Sequence, residues 1–142
     1  MSANSRLTIA VHILTWMAYV DRFRQEPVTS EEIAGSVKTN PVVIRRMLGM
    51  LREHGLVSAQ RGAHAGWRLT RKPDSIGLLE VYEAVEDEAL FSLHHTKPSQ
   101  RCPIGKGIQP VLARAYEEAH EAMKRALATR SIGTMLKDTL RE

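Results

Sequence analysis

A single cysteine, Cys102, is present among 142 residues. That scarcity excludes an internal disulfide and any metal site built from cysteines alone within one chain. No apolar run approaches the roughly 18 residues that a membrane-spanning helix needs. The N-terminus also lacks the order of a secretory signal: Arg6 interrupts a polar start, and LTIAVHILTWMAYV has helical rather than uniformly apolar character. A cytoplasmic protein without membrane attachment is therefore expected. Catalytic signatures are missing as well. There is no phosphate-cradling glycine loop, no H-E-x-x-H pair and no G-x-S-x-G elbow. The six histidines do not fall at metal-ligand spacing with carboxylates. An enzyme is not expected.

Acids are nearly absent from one segment. Residues 38–72 hold eight Lys and Arg (Lys38, Arg45, Arg46, Arg52, Arg61, Arg68, Arg71, Lys72) against the lone Glu53, while residues 73–96 hold six acids and no Lys or Arg. The net charge of +4 therefore hides a strong asymmetry. Such a distribution fits one surface built to meet a polyanion. A merely solvated basic face is the competing reading, and the motifs beneath the charge decide between them.

From Arg6 to Tyr19, apolar residues recur at Leu7, Ala10, Leu14, Met17 and Ala18, the spacing of an amphipathic helix. Pro27 stops that pattern. Thr29 with Glu32 three residues later reads as a capping box that opens a short helix ending near Val37. Asn40 is a good N-cap, and Pro41 suits the first helical position because its missing N–H has no intrahelical partner there. Ile44, Met47, Leu48 and Leu51 form one apolar face, and Gly55 is the expected left-handed terminator. A capped short helix, a tight turn and a longer helix read as helix-turn-helix. The alternation Val57/Ala59 and Trp67/Leu69 around a glycine-containing tip then predicts a β-hairpin, with Trp67 packing it onto the core. Helix-turn-helix plus hairpin is a winged helix.

Beyond Pro73, the stretch SIGLLEVYEAVEDE predicts a short helix with Leu78, Val81, Tyr82 and Val85 on one side. Residues 89–107 read as irregular. From Ile108 to Leu127 a long helix is expected. Its Ile108, Leu112, Ala115, Ala119, Ala122 and Ala126 step alternately by four and three, the spacing of a coiled-coil seam. SIGTMLKDTL reads as a closing helix. The fold class is mainly α with a small β-hairpin wing, followed by a long C-terminal dimerisation helix. The expected divisions are a DNA-binding domain over 1–87, a sensor loop over 88–107, and the dimerisation and closing helices over 108–142.

Successive helical residues rotate by about 100°. With Ile44, Leu48 and Leu51 inward, Val42, Arg46, Gly49 and Glu53 point outward and Arg45 lies toward one edge. Arginine is shaped to meet two acceptors on a guanine edge or a phosphate. At the hairpin tip, Gly62 and Gly66 permit bending and close approach. Arg61 and His64 can then donate to phosphate or enter a narrow groove.

The run NPVVIRRMLGMLREHGLVSAQRGAHAGWRLTR, followed by an acidic helix ending YEAVED, resembles the Rrf2 family of winged-helix regulators over nearly the whole chain. Its most specific part, GLVSAQRGAHAGWRL, is similar to the family's glycine-rich wing signature, with Ala65 and Trp67 as departures. The resemblance implies a homodimer whose long helix crosses its partner, and palindromic binding of double-stranded DNA. It also implies DNA contacts at Thr39, Asn40, Arg45, Arg46 and Arg61. Cluster-binding members carry three cysteines in the loop after the acidic helix, whereas LFSLHHTKPSQRCPIGKGI has only Cys102. CPIGKGI resembles the family's cluster-free branch, so no cofactor and no metal are expected. An atypical iron–sulfur site drawing on His94, His95 and Cys102, with His12 from a second subunit, is the alternative.

The function expected is therefore a dimeric, sequence-specific transcriptional repressor, thiol-responsive through Cys102. A winged-helix module for protein–protein assembly is the competing class. Arg101, Lys106 and the following helix N-terminus favour a reactive thiolate. A small buried apolar cysteine is the opposite reading, and the sequence leaves the two open.

Overall fold

The caps foreseen between residues 29 and 55 fix the first elements of the computed structural model, which describes residues 3–86 and 88–142. Helix α2 (Ser30–Val37) starts where the Thr29 hydroxyl accepts the Glu32 N–H. Only half of the expected capping box forms. The Glu32 carboxylate turns instead to the Thr29 hydroxyl at 3.2 Å and to Arg24 at 2.8 Å. Helix α3 (Pro41–Glu53) starts at Asn40, whose Oδ1 accepts the Val42 N–H at 2.8 Å. It ends at Gly55, which sits at φ 72° and leads the chain into β1 (Val57–Gln60). Lys38, at φ 62°, makes the left-handed turn between the two helices without a glycine.

Strand β1 pairs antiparallel with β2 (Gly66–Leu69), with Val57 opposite Leu69 and Ala59 opposite Trp67. A two-stranded hairpin is marginal alone in water. Here Val28 and Trp67 exchange main-chain bonds of 3.0 and 2.7 Å, so the segment before α2 acts as a short third strand. The half-buried Trp67 packs on the core, as expected, and the Arg52 guanidinium lies 5.8 Å from its ring centroid.

Helix α1 (Ala3–Asp21) extends beyond the predicted Arg6–Tyr19 at both ends. It packs against α2, α3, the later helices α4 (Leu78–Val85) and α6 (Ile132–Leu140), and β2. Its Ala10, Ile13, Leu14, Met17 and Ala18 meet Ile33, Ile44, Met47, Leu48, Leu51, Ile76, Val81 and Ile132 in one core. Full burial of a side chain such as Leu48 or Ile44 contributes about 1.5–3 kcal/mol. A single 3-10 turn at Pro73–Ser75 precedes α4. Helix α6 opens with a complete capping box between Ser131 and Thr134. Bonds from Leu78 N–H to Arg130 C=O and from Ile132 N–H to Ile76 C=O stitch it to the start of α4.

The long helix α5 runs Pro103–Ala128, five residues earlier than its predicted start at Ile108. Pro103, Gly105 and Gly107 read as loop in the sequence. Pro103 instead occupies the first helical position, where its missing N–H costs nothing. Pro110 lies inside the helix. The backbone divides into two units, residues 3–86 with 127–142, and residues 88–126. Helix α6, grouped with the long helix in the sequence reading, packs in the first of these. No helix among the described residues is long and apolar enough to cross a membrane.

Gly66 is the tightest point of the wing. A Cβ there would stand 2.6 Å from the Val28 carbonyl oxygen and 2.8 Å from Pro27 Cβ. Gly66→Ala should therefore destabilise the protein by about 1–3 kcal/mol. Thermal unfolding followed by circular dichroism checks this; an unchanged midpoint would show that Val28 and Trp67 do not hold the wing.

Candidate nucleic-acid interface

With Ile44, Met47, Leu48 and Leu51 fully buried, the opposite side of α3 faces solvent. Val42 is 52% exposed, and Arg45 and Arg46 are exposed beside it. A Cβ at Gly49 would meet nothing within 4 Å, so internal packing does not require this glycine. Thr39 is half-exposed in the turn before α3. Asn40 is exposed, with Oδ1 committed to the cap. At the wing tip, Gly62 sits at φ 100°, a backbone region that glycine enters freely. Arg61 and His64 beside it are exposed.

The eight cations of the basic segment divide into two groups. Arg45 pairs with Glu31 at 3.0 Å, Arg52 stacks over Trp67, Arg68 donates to the Gln25 carbonyl, and Arg71 pairs with Glu80. The charged side chains of Arg46, Arg61, Lys38 and Lys72 have no intramolecular partner among the described residues. Charge counting alone could not separate the groups, because the acids that neutralise Arg45 and Arg71 come from α2 and α4. Glu31 also lines an open groove of about 280 Å³ between the start of α2 and the wing, together with Thr29, Ser30, Gln60 and Ala65.

In the second unit, α5 has no buried residue. Of the expected seam, Ile108, Ala115, Ala119, Ala122 and Ala126 are exposed, and Leu112 is half-buried. Ile104, 68% exposed, and Val111, 65% exposed, fall on the same side at 100° per residue. Periodicity identifies neither: Ile104 precedes the expected helix start at Ile108, and Val111 lies off the strict four–three stepping. Phe91 in the preceding loop packs on Tyr116, with ring centroids 5.2 Å apart.

Cys102 is exposed, which removes the buried-cysteine reading. It sits directly before α5, and its carbonyl accepts the Lys106 N–H. Hydrogen bonds from the backbone N–H of Gly105 and then Ile104 hold its thiol below the usual range, against a small opposing effect of burial. The helix start, rather than Arg101 or Lys106, is the cause. His94 and His95 stack with centroids 4.6 Å apart, and His94 Nδ1 accepts the Thr96 N–H. His12 is engaged with Ser36 at 2.9 Å.

A winged helix with a basic outer face defines a class, the transcriptional regulators with a DNA-binding fold, and the comparisons with known proteins agree. The model of the Rrf2 family, described as iron-dependent transcriptional regulators, matches residues 3–138. The chain belongs to that family. It is 42% identical over 130 residues to YwnA of Bacillus subtilis, named as an HTH-type transcriptional regulator, with 91% of this chain and 92% of the relative covered. A solved structure described as a DNA-binding protein is similar at TM-score 0.73 and 36% identity, covering 93% of this chain and 99% of the other. The structure of T. potens IscR shares the fold at TM-score 0.70 and 22% identity, over 98% and 87% of the two chains. The family and YwnA are described as transcriptional regulators, not as enzymes.

The family description raises the question of iron. An iron–sulfur cluster is held mainly by cysteine thiolates, and this chain supplies one. Among the described residues, no three His, Cys, Asp or Glu side chains converge as a metal site. The donor set of one chain does not fit a cluster.

The state of Cys102 gives a measurable sign. Its alkylation by iodoacetamide should have a pH midpoint below that of an ordinary cysteine peptide. Denaturation in urea removes the Gly105 and Ile104 donors, so the midpoint should rise again. By linkage, the thiolate favours the folded loop above the ordinary thiol pKa, and this contribution is lost as pH falls through the depressed value. Equal midpoints for folded and unfolded protein would refute the assignment.

Proposed function

We propose that this Rrf2-family regulator is a homodimeric repressor that binds a palindromic operator in cytoplasmic DNA. The observation that carries the reading is the set of exposed, unpaired cations on the outer side of α3 and at the wing tip. Arg46 reads base edges in the major groove, with Val42 beside it offering apolar contact to a thymine methyl. Thr39, Asn40 and Arg45 flank it at the start of the helix. Arg61 and His64 hold phosphate or a narrow minor groove. Where the operator overlaps a promoter, its occupancy excludes a polymerase, so repression needs no further surface.

The dimer forms through α5. Ile108 and Leu112 anchor the seam, and Ala115, Ala119, Ala122 and Ala126 let the helices approach closely. Exposed Ile104 and Val111 support this reading, because water otherwise faces a continuous apolar stripe. Cys102, at the mouth of that helix, makes the regulator thiol-responsive: oxidation of the sulfur replaces the acceptor that now takes the Gly105 and Ile104 N–H groups. No cofactor takes part in this reading.

The two arginines should differ. Arg46→Ala should cost about 1–3 kcal/mol on the selected operator and relax its sequence preference. Arg61→Ala should weaken all duplexes evenly, with a salt slope shallower by about one unit. Retention of full affinity by both variants at physiological salt would displace the DNA face. Ala119→Glu should give monomers in light scattering; a persistent dimer would remove α5 as the interface. Peroxide should lower operator affinity of the native protein but not of Cys102→Ser, and equal responses would end the thiol switch.

A further inference from the structure

Within the basic segment, Arg45 is engaged where Arg46 is not: its Nη1 donates to Glu31 of α2 at 3.0 Å. Both side chains are well exposed, 48% for Arg45 and 67% for Glu31. An exposed pair of this kind adds little to stability. Glu31 is therefore poorly explained as a structural brace. Its place in the first turn of α2 suits the helix dipole, but Glu32 already supplies an acid there.

What sets Glu31 apart from Glu32 is its neighbour, Arg45 of α3. Glu31 touches that arginine and lines the groove beside the wing, where the proposed reading brings a phosphate backbone. We propose that Glu31 is a specificity-determining residue that positions Arg45. The inference rests on the DNA-binding reading given above.

The geometry suggests how it works. With Nη1 engaged by Glu31, the Nε–H and Nη2–H edge of the guanidinium remains open. That edge presents two parallel donors, the pattern that matches O6 and N7 of guanine. Arg45 is thus held for a base edge and restrained from swinging to an arbitrary phosphate. The carboxylate also repels the backbone of any duplex that offers no such compensation, and juxtaposed like charge suppresses wrong partners. Glu31 lowers affinity for DNA in general and raises the ratio of specific to non-specific binding.

Glu31→Gln removes the charge and keeps the size. The probes are a duplex selected from a random pool by the wild-type protein and a scrambled duplex of the same length. The substitution should tighten binding to the scrambled duplex several-fold and leave operator affinity within about threefold, so discrimination falls about tenfold. Its salt slope on the scrambled duplex should steepen, because a freed Arg45 gains a phosphate contact worth about one unit. Selection with Glu31→Gln should return a site in which one guanine position is degenerate. In an Arg45→Ala background, Glu31→Gln should leave the specificity ratio almost unchanged.

Outcomes separate cleanly. If the wild-type protein prefers no duplex over another, the DNA-binding reading itself fails. If it selects an operator and Glu31→Gln keeps the same ratio and slope, the role of Glu31 is overturned and the reading stands. If the ratio falls equally in the Arg45→Ala background, Glu31 acts without Arg45 and the positioning role is wrong. A Glu31→Gln protein with an altered unfolding midpoint would instead mark the pair as structural.

Discussion

The first unit depends on the fact that α1 is apolar around most of its circumference. Its Ala10, Ile13, Leu14, Met17 and Ala18 are buried, and Leu7, Ile9, Val11, Trp16 and Val20 pack partly against the same core. A helix of this kind cannot be covered by one neighbour. Helices α2, α3 and α4 close parts of its surface, and α6 adds Ile132 and Leu136 from the far end of the chain. Packing on a shared helix leaves α2 and α3 little freedom to shift against each other, and the outer side of α3 is presented as a consequence of this burial.

Local chemistry made the helix-turn-helix readable. Asn40, Pro41 and Gly55 act within a few residues of themselves, so their roles follow from side-chain shape and backbone preference. The same holds for the alternation Val57/Ala59 and Trp67/Leu69 that marks the hairpin, whereas its register, Val57 opposite Leu69, comes from the structure. Features that depend on distant partners were not legible. Ile13 lies outside the single face that periodicity identified, and it is buried because α1 is enclosed on several sides. The early start of α5 was hidden by Pro103, Gly105 and Gly107, which mark loops on average but suit a first helical turn.

The candidate site shows the same boundary. Exposure of Val42, Arg45, Arg46, Arg61 and His64 follows from helical geometry and hairpin topology. The pairing of Arg45 with Glu31 could not be read, because they lie fourteen positions apart on either side of a turn. Nor could the placement of Arg52 over Trp67, which restrains that guanidinium while leaving it exposed. For Cys102 the sequence points to both the neighbouring cations and the helix start as causes of a lowered thiol pKa, and the backbone N–H groups of the helix start are the ones that act.

The main-chain bridge between Val28 and Trp67 has an entropic consequence. An isolated hairpin arm flickers, and ordering it on a ligand costs conformational entropy at every residue fixed. Here β2 is held on one side by β1 and on the other by Val28, so the arm is rigid before any encounter. The tip itself is closed by the Ala65 N–H to Gly62 C=O bond of 3.2 Å. In the proposed complex, Arg61 arrives on a stiff lever, and little of the attraction between the wing and a phosphate is lost to freezing the arm that carries it.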